Sequence, residues 1–394
     1  MVSDKSNLKI IPIAKPYFDS EEERLVLKTV RSGWIAQGRM VEEFEERLRR
    51  YVGARYAVSV SSGTTALHLA LLISGIGPGD EVIVPSFSFI ATANAVLYCG
   101  ARPVFIDIDL KTYNIDPEMI GAFIKRRCRF DAGKKAVIDK ETGARVKAIM
   151  PVHQFGLPCD IDAISKIARE YGLAVIEDAA CAIGSSYKGK RIGGGRNIVC
   201  FSFHPRKVLT TGEGGAIVTD NKSCAEKAMA LRNHGMRKAP IEDYVMLGYN
   251  YRLTDLQAAI GIAQISKVHE ILKKRVYLAE RYNRAFKTID SLKIPHIPSY
   301  GVTNYQSYVI RIGEDSFYSR DNLIKELSKK GICARRGNTA IHLQAIYKKI
   351  TKGLRLPNTE KAASQTMALP IFFGMTKDEQ DRVIDTMSGL TTNR

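Results

Sequence analysis

The sequence predicts an α/β fold, with a large domain over residues 1–253 built on a mostly parallel β-sheet and a smaller α+β unit over 254–394. Three observations lead there. Short apolar, β-branched runs recur through the first half of the chain. Helix-patterned segments separate several of them. After residue 254 the texture changes to a long helical stretch followed by scattered strand and helix signals.

In chain order the strand candidates are 56–60 (YAVSV), 81–85 (EVIVP), 103–109 (PVFIDID), 147–152 (KAIMPV), 173–178 (LAVIED), 199–203 (VCFSF) and 215–220 (GAIVTD). They are continuously apolar rather than alternating, as strands covered on both faces must be. Helical patterns fall at 64–75, 88–100 and 160–172. From Thr254, a suitable N-cap, some ten turns of helix-compatible sequence run to about residue 289 and read as one connecting helix. Beyond it, 305–312 reads as a strand and 319–331 and 377–389 as helices. The segment 125–147 holds nine Lys/Arg against three Asp/Glu and reads as an insert that projects as a hairpin or loop.

Composition narrows the function classes. The 394 residues are 45% hydrophobic and 25% charged, ordinary for a globular protein with a substantial core. No apolar run approaches the roughly 20 residues that cross a bilayer, and the N-terminus lacks a signal-peptide pattern. No membrane partner is expected. Seven singly spaced cysteines without a CxxC pair argue against a zinc site or disulfide framework and fit a reducing cytoplasm. The formal charge of +18 comes without a nucleic-acid reading motif, so no nucleic-acid partner is expected. A basic surface equally attracts small anionic substrates.

Four features converge on one chemistry. In "SVSSGTTALHLALL" a strand ends at Ser61-Ser62-Gly63-Thr64 and a helix begins at once, so free amides and the positive helix end make a phosphate cradle; such residues are also ordinary caps. In "VIEDAACAIGSS" an apolar strand delivers Glu177 and Asp178 at its C-terminal end, where open parallel sheets place ligands. A carboxylate there can keep a heterocyclic nitrogen protonated. In "FSFHPRKVLTTGEGGAIVTD" one lysine, Lys207, stands between two buried strands, with Ser202 five residues before it. A lone loop lysine is ordinarily just solvated, but one at a buried strand edge suits a Schiff-base nucleophile, with His204 and Arg206 nearby to tune it. Phe89, just after a strand, can cover a flat ring. Phosphate cradle, ring-nitrogen carboxylate, Schiff-base lysine and stacking aromatic together specify pyridoxal phosphate.

The chain also resembles the DegT/DnrJ/EryC1/StrS aminotransferases, of pyridoxal-phosphate fold type I, over nearly its whole length. "VIEDAACAIG", "FSFHPRKVLTTGEGGAIVT", "GYNYRLTDLQAAIGIAQ" and "TMALPIFFGMT" carry the resemblance. It implies that Lys207 holds the cofactor as the internal aldimine, that Asp178 pairs with the pyridine nitrogen, and that Gly63, Thr64 and Ser202 hold the phosphate. Phe89 takes the place of the ring-stacking aromatic. Asn250 resembles the residue that reaches the cofactor phosphate of a neighbouring subunit, which makes a homodimer the catalytic unit. "GYNYRLTD" precedes the connecting helix, so within one chain no route from Asn250 to the Gly63-Thr64 cradle is expected. Arg252 and His342 are candidate substrate contacts. His153 and His234 are expected to pack rather than catalyse.

Two departures stand out. Cys181 occupies the place of a His or Gln that contacts the cofactor's 3-oxygen, and "CARRGNTAIHLQAIY" (333–347) replaces a more usual tyrosine-containing segment. The resemblance implies amination of a keto sugar, a nucleotide-diphosphate-linked 3- or 4-keto-deoxyhexose, with glutamate as donor. A cyclitol-ketone aminotransferase, a sugar dehydratase on the same fold and a non-catalytic sensor are the alternatives. The dehydratases replace the lysine with histidine, so Lys207 speaks against that one.

Overall fold

Seven strands form the spine of the large domain in the computed structural model, which describes residues 9–133, 136–195, 197–237 and 243–392. They are β1 Tyr56–Val60, β2 Asp80–Pro85, β3 Arg102–Ile106, β4 Arg145–Ile149, β5 Ala174–Asp178, β6 Ile198–Ser202 and β7 Gly215–Thr219. Their order across the sheet is β1-β7-β6-β5-β4-β2-β3. The strands β6, β5, β4, β2 and β3 pair in parallel, and only β7 runs against its neighbours, between β1 and β6.

The unbroken apolar character of these strands has a direct cause. Neighbouring side chains point to opposite faces, and both faces are covered. Val82 and Val84 pack with the helix Gly63–Ile73, while Ile83 packs with Ile106, Ile149 and the helix Ile161–Tyr171. The helix Gly63–Ile73 is buried at every position from Ala66 to Leu71, which explains its lack of a polar face. A second core lies under the helices Arg39–Val52 and Asp255–Ser266.

The C-terminal unit has its own core, centred on Tyr282, Phe286, Tyr308 and Met367. Its four-stranded antiparallel sheet runs Leu292–Lys293, Tyr308–Ile312, Thr366–Leu369, Arg335–Arg336. The chain's N-terminal stretch joins this unit rather than the large sheet: Ile11 N–H donates to Gly331 O (2.8 Å) and Cys333 N–H to Ile11 O (2.9 Å). No helix among the described residues is long and apolar enough to cross a membrane.

Two expectations change. The connecting helix is two helices, Asp255–Ser266 and Val268–Phe286, broken at Lys267 (φ −107°, ψ 7°). Lys267 Nζ is held there by Asp19 and Glu22 of the N-terminal segment, each at 2.7 Å. The basic segment does form a hairpin, Cys128–Asp131 with Ala136–Asp139, but it does not project. Its second strand docks on β4 through Val137–Val146 and Ile138–Arg145, with Val137, Ile138 and Val146 buried. Lys134 and Lys135, between these two strands in sequence, lie outside the described residues.

Where this hairpin meets β2, Glu81 is fully buried. Its Oε1 accepts from Thr142 (3.0 Å), and its Oε2 has no hydrogen-bond partner among the described residues. Burial and the neighbouring Asp139 charge push its pKa to about 7. A raised folded-state pKa means that the folded chain holds a proton the unfolded chain has released. The resulting stability is complete below the unfolded value of 4.5 and is lost as pH rises through about 7. Glu81→Gln mimics the protonated carboxyl. In melting curves between pH 6 and 8 the wild type should lose a few degrees of Tm that this variant keeps; parallel losses would contradict the assignment.

Candidate active site

The sheet order brings three strand ends to one edge. Strands β1, β5 and β6 point the same way, and the register places Gly215 opposite both Val60 and Ser202, and Cys200 beside Asp178. The turn after β1, the segment after β5 and the loop 203–214 between β6 and β7 therefore emerge together.

Gly63 and Ser202 meet where the first helix starts. A Cβ on Gly63 would fall 2.7 Å from Ser202 Cβ, and one on Gly215 would overlap the Ser62 carbonyl and lie 2.7 Å from Gly63 N. Glycine is required at both positions by this approach of chain to chain. Ser62 serves as a cap: its Oγ accepts from Thr65 N–H (3.1 Å), and its own N–H donates to Thr65 Oγ1 (3.0 Å). That leaves the first-turn amides of Gly63 and Thr64, and the hydroxyls of Thr64 and Ser202, without acceptors among the described residues. Four donors converge at the positive end of a buried helix, an arrangement that takes a phosphate.

Asp178 is 4% exposed. Its Oδ2 accepts from Thr92 Oγ1 (2.8 Å) and its Oδ1 from Ala180 N–H (3.1 Å). Burial raises its pKa, while those two hydrogen bonds and the charge of Lys207 pull it back. Thr92 is in turn hydrogen-bonded to Ser88 Oγ (2.9 Å). Glu177, on the other face of β5, is held by His153 Nε2 (3.0 Å) and Asn197 Nδ2 (2.7 Å). His153 is fully buried, and its Nδ1 accepts from Cys159 N–H (3.0 Å), which places its ring proton on Nε2 toward Glu177. It packs, as expected. His234 instead sits exposed at a turn with φ 57°.

Lys207 is half-buried, and its Nζ donates to Cys181 Sγ at 3.1 Å. Cys181 thus stands against the lysine itself. The loop bearing Lys207 is fixed from the C-terminal unit by Gln306, whose Oε1 accepts from Val208 N–H (2.9 Å) and whose Nε2 donates to Arg206 O (2.6 Å). Asn304 Nδ2 likewise donates to Cys181 O (2.8 Å) and Ile183 O (2.9 Å). Thr92, Asn304 and Gln306 were not anticipated from the sequence. Only Thr92, one helical turn beyond Ser88 in "SFIATANA", had a local signal.

The remaining candidates divide. Phe89 is 69% exposed, one turn before Thr92, with its ring free of other aromatic rings among the described residues. Asn250 is exposed, but the expectation that its segment has no route to the cradle within one chain is overturned. Ser61 N–H donates to Tyr251 O at 2.8 Å, so the segment lies against the start of the cradle in its own chain. Long-range pairing with the 231–234 turn brings it there, through an Asn233–Asn250 bridge. Arg252 is tied to Asn233 Oδ1 (2.5 Å). His342 is 2% exposed, with Nδ1 2.7 Å from Ser86 Oγ and Nε2 3.5 Å from Glu360, so it is packed into the protein rather than presented to a ligand.

The donor set fits pyridoxal phosphate: a phosphate cradle, a buried carboxylate for the ring nitrogen, and a lysine near enough to influence it. Comparison with known proteins agrees. Residues 16–388 match the family model described as the DegT/DnrJ/EryC1/StrS aminotransferase family. The chain is 39% identical over 382 residues to GDP-perosamine synthase of Caulobacter vibrioides, covering 96% of this chain and 98% of that protein. Among solved structures it is similar to S. venezuelae DesV in complex with a ketimine intermediate (31% identity, TM-score 0.85, 97% and 98% of the two chains). It is also similar to NtdA of Bacillus subtilis with bound PMP (31%, TM-score 0.83, 95% and 83%). The chain belongs to the DegT/DnrJ/EryC1/StrS family of pyridoxal-phosphate-dependent sugar aminotransferases.

Proposed function

We propose that this aminotransferase converts a nucleotide-diphosphate-linked 3- or 4-keto-deoxyhexose to an amino sugar, with glutamate as the amino donor. The observation that carries the sugar assignment is the near-full-length match to GDP-perosamine synthase. Pyridoxal phosphate supplies the electron sink and carries the amino group from donor to acceptor. The chain's own residues supply the rest. Gly63, Thr64 and Ser202 hold the phosphate, and Asp178 keeps the ring nitrogen protonated while Thr92 fixes the carboxylate that does so. Phe89 offers a face for the ring. Lys207 Nζ, once free, moves the proton on and off the reacting carbon, and Cys181 beside it sets its position. A panel of keto-sugar nucleotides and keto-cyclitols, each followed by mass spectrometry, tests the substrate; amination of cyclitols alone would favour that class.

Borohydride should fix the cofactor to Lys207 alone, read by peptide mass spectrometry, and Lys207→Ala should abolish transamination. A label on any other lysine would defeat the assignment. Asp178→Asn should retain the cofactor but slow turnover severely. Losing a charge-assisted contact of this kind removes about 2–4 kcal/mol of transition-state stabilisation, and near wild-type turnover would show that Asp178 is only a structural cap.

We further propose a homodimer in which Asn250 of each chain completes the other's site. The reading is supported by the exposure of Asn250 and by exposed apolar residues around it. Tyr244 and Leu247 (87% exposed) precede it, and Trp34 and Ile35 sit on the loop that Asp255 ties down through Gly38 N–H (2.8 Å). A two-fold contact would make the exchange reciprocal. Lys207→Ala protein dissociated and reassembled with Asn250→Ala, Arg252→Ala protein should regain activity in mixed dimers, since one site of each then carries no lesion. No gain in mixtures verified by mass to contain heterodimers would place Asn250 in its own chain's site.

A further inference from the structure

Asp178 is the end of a chain of two buried hydroxyls. Thr92 Oγ1 lies 2.8 Å from Asp178 Oδ2, and Ser88 Oγ lies 2.9 Å from Thr92 Oγ1. All three residues are buried, so the chain is withdrawn from bulk water. Its polarity follows from the protons available. An ionised carboxylate only accepts, so the single Thr92 hydroxyl proton points at Asp178. Thr92 Oγ1 then has only lone pairs to offer Ser88, and the Ser88 proton points at Thr92. Each bond polarises the next, and the last one donates to the charge. Helical threonines commonly return the hydroxyl to the carbonyl four residues back. Thr29, Thr386 and Thr391 do so in this chain, at 2.9, 2.7 and 2.7 Å. For Thr92, in the first turn of the helix Ala91–Tyr98, that carbonyl belongs to Ser88, and it accepts from Thr339 Oγ1 (3.3 Å) instead.

The far end of the chain is anchored by the C-terminal unit. The two-residue strand Phe87–Ser88 pairs antiparallel with Thr339–Ala340. Ser86 O accepts from Ile341 N–H (2.8 Å), and Ser86 Oγ from His342 N–H (3.0 Å). Gln154 adds a further tie: its Nε2 donates to Phe87 O, and its Oε1 accepts from Asn338 Nδ2 (2.6 Å). Ser88 is therefore fixed by the 338–342 segment, and Phe89 is the next residue along. Burial drives Asp178 toward the neutral acid, and the Thr92 bond is first among the groups that oppose it. We propose that Ser88 and Thr92 are positioning residues for the transamination, a hydroxyl relay through which the 338–342 segment holds Asp178 ionised and in place for the cofactor's ring nitrogen. This rests on the reading of Asp178 as the partner of that nitrogen and extends it to residues that act through the carboxylate.

The test uses holoenzyme loaded with pyridoxal phosphate isotope-labelled at the ring nitrogen, whose NMR resonance reports whether that nitrogen is protonated. Wild type is compared with Thr92→Val, Thr92→Ser, Ser88→Ala and the Ser88→Ala, Thr92→Val double variant, with Asp178→Asn as the reference for a lost carboxylate. The half-reaction with glutamate is followed by absorbance alongside, and melting curves control for folding. Thr92→Val keeps the shape and removes the donor. Its resonance should move toward that of Asp178→Asn, with the half-reaction slowed about ten-fold or more. Ser88→Ala should move the resonance the same way by less, and slow the half-reaction about two- to five-fold. Thr92→Ser should restore most of both. In the double variant Ser88→Ala should add nothing, because its proton no longer acts on the carboxylate. A resonance unmoved in Thr92→Val overturns the proposal even if turnover falls, since a packing defect slows the enzyme without touching the nitrogen. Equal Ser88→Ala effects in both backgrounds overturn the relay equally. Where Thr92→Val does not fold, Ser88→Ala decides alone, and a wild-type resonance there overturns the relay. If Asp178→Asn itself leaves the resonance at the wild-type position, the reading of Asp178 fails, and the relay with it.

Discussion

The approach of three backbone segments at Gly63, Ser202 and Gly215 is the constraint on which the site depends. No side chain larger than hydrogen fits at Gly63 or Gly215, because the next atoms belong to Ser202 and to the Ser62–Gly63 backbone. This closeness exists because β7 runs antiparallel between β1 and β6, so one residue, Gly215, pairs with Val60 on one side and Ser202 on the other. A sheet in which β6 and β1 were direct neighbours would bring the serine to the helix start without the loop that carries Lys207. The reversal of β7 therefore does two things. It closes the phosphate cradle, and it obliges the chain to turn back across the strand ends, with Lys207 in the turn.

A buried carboxylate is the second requirement. Asp178 loses its water on the strand end, and burial alone would drive it toward the neutral acid. The groups that oppose this are local and few: Thr92 Oγ1, the Ala180 amide, and the positive charge of Lys207. On the opposite face of the same strand Glu177 is tied to His153 and Asn197, which keeps a second carboxylate turned away from the site. Two adjacent acids thus receive different environments from the alternation of a β-strand, and only one of them faces the lysine side.

Much of this was legible in the sequence, and the boundary between what was and was not has a physical basis. Residues whose role is set by the chain on either side of them, such as Gly63 and Thr64 at a strand-to-helix turn, Asp178 at a strand end and Lys207 between two strands, could be read from local pattern. Contacts made across the sequence could not. The hairpin 128–139 reads as an insert until its Val137 is seen against Val146, and Ile11 reads as an extension of the large domain until it pairs with the strand edge near Ile332. At the helix break Lys267 is held by acids 245 and 248 residues earlier, contacts to which local helix propensity is blind. The position of Asn250 beside Ser61 fails the sequence reading for the same reason, since the bond is made by a neighbouring carbonyl.

The same logic explains why the lysine loop is held from the other unit. A loop with several glycines at its end can adopt many shapes, yet Lys207 must be placed within a bond length or two of its target. Gln306 supplies the restraint by accepting from one backbone amide and donating to one backbone carbonyl on either side of Lys207, and it leaves the lysine side chain free. Gln306 is fixed in turn by Arg275, which is 4% exposed and spends its guanidinium on the Tyr305 and Gln306 carbonyls. Burial lowers Arg275 to about 10, still well above neutrality, so it remains a cation clamped, among the described residues, by carbonyl dipoles. A helix of the C-terminal unit thereby sets the loop of the large domain, and the two units cannot shift relative to each other without moving Lys207 and the Arg206 that precedes it.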